Sequence, residues 1–229
     1  MNKQICLEWH SWSGKTSNAK NLEEKGIIKR FGEYFHYINE GEEYPGTNPK
    51  NERELMEIRK HLFELLERRD ADILRYKENS PVLIERSPLS FIYTETLRIH
   101  TWLFWNLKTL AIQLQQVLSM SQEPDYYIFL QLDSLLAKKR LQERINSDKL
   151  FYYKKNVLIW MEKILEFFRS EYLSTDNYSI INTDRTKDEV EWELIQIIKN
   201  LKEKWLTQQN AITKLCNHIN KWLDLLTLL

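Results

Sequence analysis

Gln4-Ile5-Cys6-Leu7-Glu8-Trp9-His10-Ser11-Trp12-Ser13-Gly14-Lys15-Thr16 passes from a short apolar run into a turn that ends Gly-Lys-Thr. The run reads as a strand, and the residues after Lys15 carry a helical pattern. From Trp9 to Thr16 the turn follows G-x-x-x-x-G-K-[ST] at every position except the first, where tryptophan replaces glycine. In a loop of this kind, backbone N–H groups and a helix N-terminus surround phosphate oxygens. The lysine neutralises charge and the hydroxyl coordinates magnesium. Ser13, Gly14, Lys15, Thr16 and Ser17 are therefore the expected phosphate contacts, with Thr16 also on the metal. A bare Gly-Lys-Thr before an ordinary surface helix carries no such meaning; the strand-to-helix position gives it weight. Trp9 admits a second reading, in which a bulky residue at the tight turn remodels the loop. The chain would then bind nucleotide weakly or not at all and act through partner contacts.

Outward from this junction, short apolar runs alternate with long amphipathic segments, as when helices cross over between parallel strands. Strands are expected at 4–8, 34–38, 82–85, 126–132 and 178–181. Helices are expected at 15–24, 51–77, 88–118, 134–144, 150–172 and 187–206, with a further helix to the C-terminus. The fold class is α/β: a three-layer α/β/α arrangement on a five-stranded parallel sheet, plus an extra C-terminal helix. Residues 1–206 form one domain with a lid region at about 138–150, and 207–229 form the added amphipathic helix. The stripe of the last thirty residues, Trp205, Ile212, Leu215, Ile219, Trp222, Leu226 and Leu229, packs on the domain's own helices or on a second copy, giving a homodimer.

Composition narrows the function classes. At 229 residues, 42% hydrophobic and 29% charged, the chain can bury the core of one domain and is neither disordered nor membrane-like in balance. Lys plus Arg (33) equals Asp plus Glu (33), so no basic field favours a nucleic acid polymer. Cys6 and Cys216 lie far apart in sequence, in no disulfide or zinc framework, which points to a reducing compartment. With neither a signal-peptide pattern nor a run long enough to span a membrane, a soluble cytoplasmic protein is expected. The five histidines have no spacing that suggests metal ligation.

Further motifs follow the phosphate loop in order. Glu43-Tyr44-Pro45-Gly46-Thr47 lies in the most glycine- and proline-rich segment. Val82-Leu83-Ile84-Glu85-Arg86-Ser87-Pro88-Leu89-Ser90 is an apolar strand ending in an acidic-Arg-Ser element. Tyr126 to Asp133 is a second such strand, followed by Ala137 and Arg140, and Ile181-Asn182-Thr183-Asp184 closes a third. A carboxylate at a strand's C-terminal edge can hold a metal's water shell, and a guanidinium can spread over a transferring phosphoryl group. Alone, the same pair could be a salt bridge at a sheet edge.

By the order and spacing of these motifs, across roughly residues 3–198, the chain resembles the thymidylate kinase and deoxynucleoside kinase family of P-loop kinases. The resemblance implies an ATP- and Mg2+-dependent phosphoryl transfer to a nucleoside or nucleoside monophosphate. It places Glu85 on the metal and Arg86 on the phosphates, while Arg140 and Arg144 become lid arginines that clamp the transferred group. Asn182 and Thr183 would lie against the adenine base. Arg69, Ser90, Glu95 and Glu43 are the positions facing the acceptor. Glu43, or Glu40 beside it, would match the glutamate that deoxynucleoside kinases place after strand two. The acceptor side also departs from the thymidylate kinase pattern. Leu65 stands where a phenylalanine stacks on thymine, and Tyr93-Thr94-Glu95 replaces Ala-Tyr-Gln, so thymine recognition has no support.

Overall fold

In the computed structural model, the described residues are 3–8, 13–39, 50–76, 81–90, 115, 123–133, 135–137, 139, 157–203, 211 and 214. Five strands form one parallel sheet: β1 (Gln4–Glu8), β2 (Lys29–Phe31), β3 (Val82–Glu85), β4 (Tyr126–Gln131) and β5 (Tyr178–Asn182). Their order across the sheet is β2-β3-β1-β4-β5. The central strand β1 is buried along its whole length. Its register sets Leu7 beside Glu85 on one side and Ile128 on the other. This explains why β1, β3 and β4 read as unbroken apolar runs, since strands covered on both faces have no polar alternation.

The helices are α1 (Lys15–Glu24), α2 (Glu52–Arg75), α3 (Val157–Tyr172) and α4 (Lys187–Glu203), and they flank the sheet in a three-layer α/β/α arrangement. Each begins or buries itself for a local reason. Asn51 caps α2 by accepting from Glu54 N–H at 2.9 Å, and Glu54 answers by accepting from Asn51 Nδ2. Ahead of α4, Thr186 and Glu189 form the same reciprocal box: Glu189 Oε2 accepts from Thr186 N–H at 3.0 Å and Thr186 Oγ1 accepts from Glu189 N–H at 3.4 Å. Along α2 the buried residues Leu55, Arg59, Leu62, Leu66, Arg69 and Ile73 recur at alternating four- and three-residue steps, so two arginines ride inward on the apolar stripe. Phe168 of α3 meets Tyr127 of β4 edge-on at 5.9 Å between ring centroids.

The second strand departs from its expected place. The run 34–38 is not a strand: Tyr34–Tyr37 is a 3-10 turn, and β2 lies upstream at Lys29–Phe31. Tyr34, Tyr37 and Ile38 instead pack on Leu62, Leu65 and Leu66 of α2, forming a second apolar cluster apart from the main core. Aromatic residues suit a pleated surface only when a neighbouring strand is there to receive them; here a helix claims them. Leu65, expected near the acceptor, is fully buried in this cluster.

Of the C-terminal segment, Ala211 and Lys214 are described and helical. Ala211 is buried in the main core, and its N–H donates to the Glu123 carboxylate at 2.6 Å. The remainder of the expected stripe lies outside the described residues, as does most of the expected 88–118 and 134–144 helices. Among the described residues, no helix is long and apolar enough to cross a membrane.

Candidate active site at the C-terminal edge of the sheet

Gly14 caps α1 with φ at +87°, in the left-handed region where a side chain is strained, and its carbonyl accepts from Asn18 N–H at 3.0 Å and from Asn18 Nδ2 at 2.9 Å. After this bend, Lys15 and Thr16 lie near the ends of β1 and β3. Ser13 is buried, and its Oγ has no hydrogen-bond partner among the described residues; the same holds for Asn18 Oδ1. Buried polar atoms are seldom left so. At a bend preceding a helix N-terminus, the Ser13 hydroxyl suits an anion as a donor, and the Asn18 oxygen, an acceptor only, suits water. Ser17 stays at the surface, its Oγ donating to the Gly14 carbonyl at 3.0 Å.

Lys15 is 4% exposed. Burial lowers its pKa to about 8, with repulsion from Arg86 adding to the drop and Glu33, Glu8 and Glu85 opposing it. Thr16 donates its hydroxyl to Glu85 Oε2 at 2.5 Å, joining residues 69 positions apart. Glu85 is fully buried, and its other oxygen pairs with Arg30 Nε. Thr16 and Glu85 thus present the oxygen donor set that suits magnesium, which usually takes one or two protein ligands and completes its shell with substrate phosphates and water. Among the described residues, no group of three or more His, Cys, Asp or Glu could hold a metal by itself.

Arg86 follows Glu85 in a left-handed conformation, φ +64°, unusual for a residue with a side chain. Two neighbours hold it there. Its N–H donates to the Leu7 carbonyl at 3.1 Å, and its Nε lies 2.8 Å from Glu33 Oε2. Arg69, 1% exposed, reaches in from α2: Nη1 donates to the Glu85 carbonyl at 3.1 Å and to the Arg86 carbonyl at 2.9 Å, while Nε and Nη2 both reach Asp70 Oδ1 at 3.3 Å. Expected at the acceptor, Arg69 is found gripping the backbone of the acidic-Arg turn. Beneath that turn Glu8 is fully buried and accepts from Ser87 N–H at 2.9 Å, Ser87 Oγ at 2.8 Å and Ser90 Oγ at 3.2 Å. Ser90, also expected to face the acceptor, points its hydroxyl at this carboxylate. Burial, with Glu8 nearby, pushes the Cys6 thiol well above its ordinary range, so it stays a neutral core group.

Glu33 escaped the sequence reading. With β2 ending at Phe31, the carboxylate that follows strand two is Glu33, two residues on and only 8% exposed. Burial alone would raise its pKa, but Arg86 and Lys15 beside it hold it below the ordinary glutamate value. The missed signal was Gly32-Glu33 after Lys29-Arg30-Phe31, hidden by the more strand-like aromatic run next to it. At the far edge of the sheet, Thr183 binds the Gln131 carbonyl through both N–H (2.8 Å) and Oγ1 (3.0 Å), and exposed Asn182 accepts from Asp184 N–H at 2.7 Å. Trp9, Glu40, Glu43, Glu95, Arg140 and Arg144 lie outside the described residues.

A bend before α1, a cation inside it and an acidic-Arg turn facing it from the neighbouring strand define the class as a P-loop α/β fold. Compared with solved structures, the chain is similar to the thymidylate kinase of Candida albicans, with TM-score 0.59, 17% identity, and coverage of 91% of this chain and 96% of that one. It is also similar to the deoxyadenosine kinase of M. mycoides with bound dCTP, with TM-score 0.57, 14% identity, and coverage of 86% and 99%. The same enzyme with bound dATP gives 0.58 at 14% identity. The fold is that of the thymidylate and deoxynucleoside kinases. No protein-family model matches the sequence, and no curated protein matches it.

Proposed function

We propose that this chain transfers the γ-phosphoryl group of ATP to a hydroxyl of a nucleoside. One observation carries the reading: the hydroxyl of Thr16, last residue of the phosphate loop, meets Glu85, last residue of β3, at 2.5 Å with Lys15 and Arg86 in reach of both strands' ends. Magnesium, held by Thr16 and Glu85, would neutralise charge on the phosphates. Lys15 and Arg86 supply fixed positive charge where negative charge spreads in the transition state. Lys15 is buried at a cost, and an anionic ligand restores its preference for the charged form.

The acceptor class follows from Glu33. A carboxylate beside Arg86 can accept the proton of an attacking hydroxyl, whereas it repels the dianion of a monophosphate. In the transfer, the acceptor oxygen bonds to the γ-phosphorus, the bond from that phosphorus to the β–γ bridging oxygen breaks, and the hydroxyl proton passes to Glu33. Its depressed pKa makes Glu33 a weak base, which suits the loose transition state of phosphoryl transfer, where the proton leaves late. The acceptor class is tested by a panel of nucleosides and nucleoside monophosphates assayed for ADP release. Nucleosides should turn over, and Glu33→Gln should lower kcat by about 10²–10⁴-fold with ATP affinity within a few fold. Turnover with monophosphates alone, or an unaffected Glu33→Gln, would overturn the hydroxyl-acceptor reading.

A further inference from the structure

Arg30, partly buried, stands out among the cations near the site by what its buried Nη2 leaves undone. Arg69, more deeply buried, places Nη1 on two carbonyls and turns Nε and Nη2 to a carboxylate. Arg30, 13% exposed along its side chain, pairs through Nε with Glu85, yet its buried Nη2 has no hydrogen-bond partner among the described residues. A guanidinium placed only to stabilise the fold would be expected to satisfy its donors. The space around it is kept open by Gly32, where an added Cβ would come 3.0 Å from Arg30 Nη2 and closer still to His36 Nδ1. The charged and titratable groups around Arg30 are Glu85, Glu23, His36 and Tyr37, with Glu33 beside His36.

Both oxygens of Glu85 are thereby engaged, one by Thr16 and one by Arg30. We propose that Arg30 is a resident cation of the metal site: it neutralises Glu85 while the site is empty and competes with the divalent cation that enters with the nucleotide. The inference rests on reading Glu85 as the metal's carboxylate. Two cations on one buried carboxylate repel each other, so metal entry weakens the Arg30–Glu85 pair and Arg30 in turn weakens metal affinity. Arg30 lies in β2, three residues before Glu33, which follows the end of that strand, so release of its side chain acts on the segment that carries the acceptor's carboxylate.

The test measures Mn2+ binding by electron paramagnetic resonance of the free ion, on the full chain with saturating ADP. Arg30→Gln should bind Mn2+ about tenfold tighter, the least expected when a hydrogen-bonded competitor charge is removed. Arg30→Lys, which keeps the charge, should stay near the unmodified chain. Equal or weaker Mn2+ binding in a folded Arg30→Gln overturns the proposal. Should that variant fail to fold, hydrogen exchange in the unmodified chain decides: adding Mn2+ to the ADP complex should speed exchange across 29–33, and unchanged exchange there counts against Arg30. Thermal shift with ADP alone separates the two levels. No stabilisation by ADP removes the phosphate-loop reading and this inference with it, while ADP binding with unaltered Mn2+ affinity removes this inference only.

Discussion

Replacing Arg69 by methionine removes the clamp on the acidic-Arg turn while filling much of the same volume. Arg69 Nη1 serves two carbonyls, those of Glu85 and Arg86, at 3.1 and 2.9 Å. Hydrogen bonds from charged donors contribute about 1.5–3 kcal/mol each, so losing both should cost about 3–6 kcal/mol. For a chain of this size, at about 3 °C per kcal/mol, the thermal midpoint should fall by about 9–18 °C. The turn should change as well. Arg86 sits in a left-handed conformation that costs on the order of 1–3 kcal/mol, and that persists only while its surroundings impose it. Released, Arg86 moves away from Glu33, and ATP affinity should drop alongside stability. Thermal unfolding by circular dichroism and ATP titration calorimetry measure the two effects, with Arg69→Lys expected to recover part of each. If Arg69→Met stays within about 1 kcal/mol of the unmodified chain and only the acceptor's KM rises, the clamp account is wrong and Arg69 is a substrate contact.

Four more outcomes follow from the same geometry. Lys15, with its pKa lowered to about 8, should take up a proton when ATP binds near that pH, and ATP affinity should fall as pH rises through it; calorimetry in two buffers of different ionisation enthalpy reads the uptake. The same shift makes the ligand-free chain gain stability as pH rises from about 8 toward the ordinary lysine value, because there the unfolded chain binds the extra proton. Glu8→Gln should lower stability by about 2–3 kcal/mol in urea unfolding, since the amide keeps one acceptor oxygen and presents NH2 donors at the other position, where Ser87 or Ser90 already donates. Gly14→Ala should cost about 1–2 kcal/mol at φ +87°, with its Cβ 3.2 Å from Asn18 Nδ2, and a thermal midpoint unchanged from the unmodified chain would contradict the bend as described.

What could be read directly from the residues was whatever a short window determines. Val82–Glu85 and Tyr126–Gln131 announce buried parallel strands because nothing in them is polar until the edge, and the Gly14-Lys15-Thr16 bend follows β1 at once. Pairings over long separations were not legible. Arg69 looks like a substrate contact from its place on α2, and only the fold shows its donors spent on carbonyls 16 and 17 residues away. The misplaced second strand had a larger effect. Tyr34, Phe35 and Tyr37 carry strong strand propensity, but Tyr34 and Tyr37 pack on α2 instead, and with the strand at Lys29–Phe31 the first carboxylate after it is Glu33. Arg30 carried no sequence signal at all, since an arginine in a short edge strand ordinarily faces water.

The central claim is that the bend at Gly14-Lys15-Thr16 holds nucleotide phosphates, and isothermal titration of Mg-ATP into the unmodified chain and into Lys15→Ala tests it most directly. The account predicts saturable binding to the first and at least a tenfold loss in the second, with the variant's fold intact by circular dichroism. Equal affinity in both, or no heat from either, would contradict it.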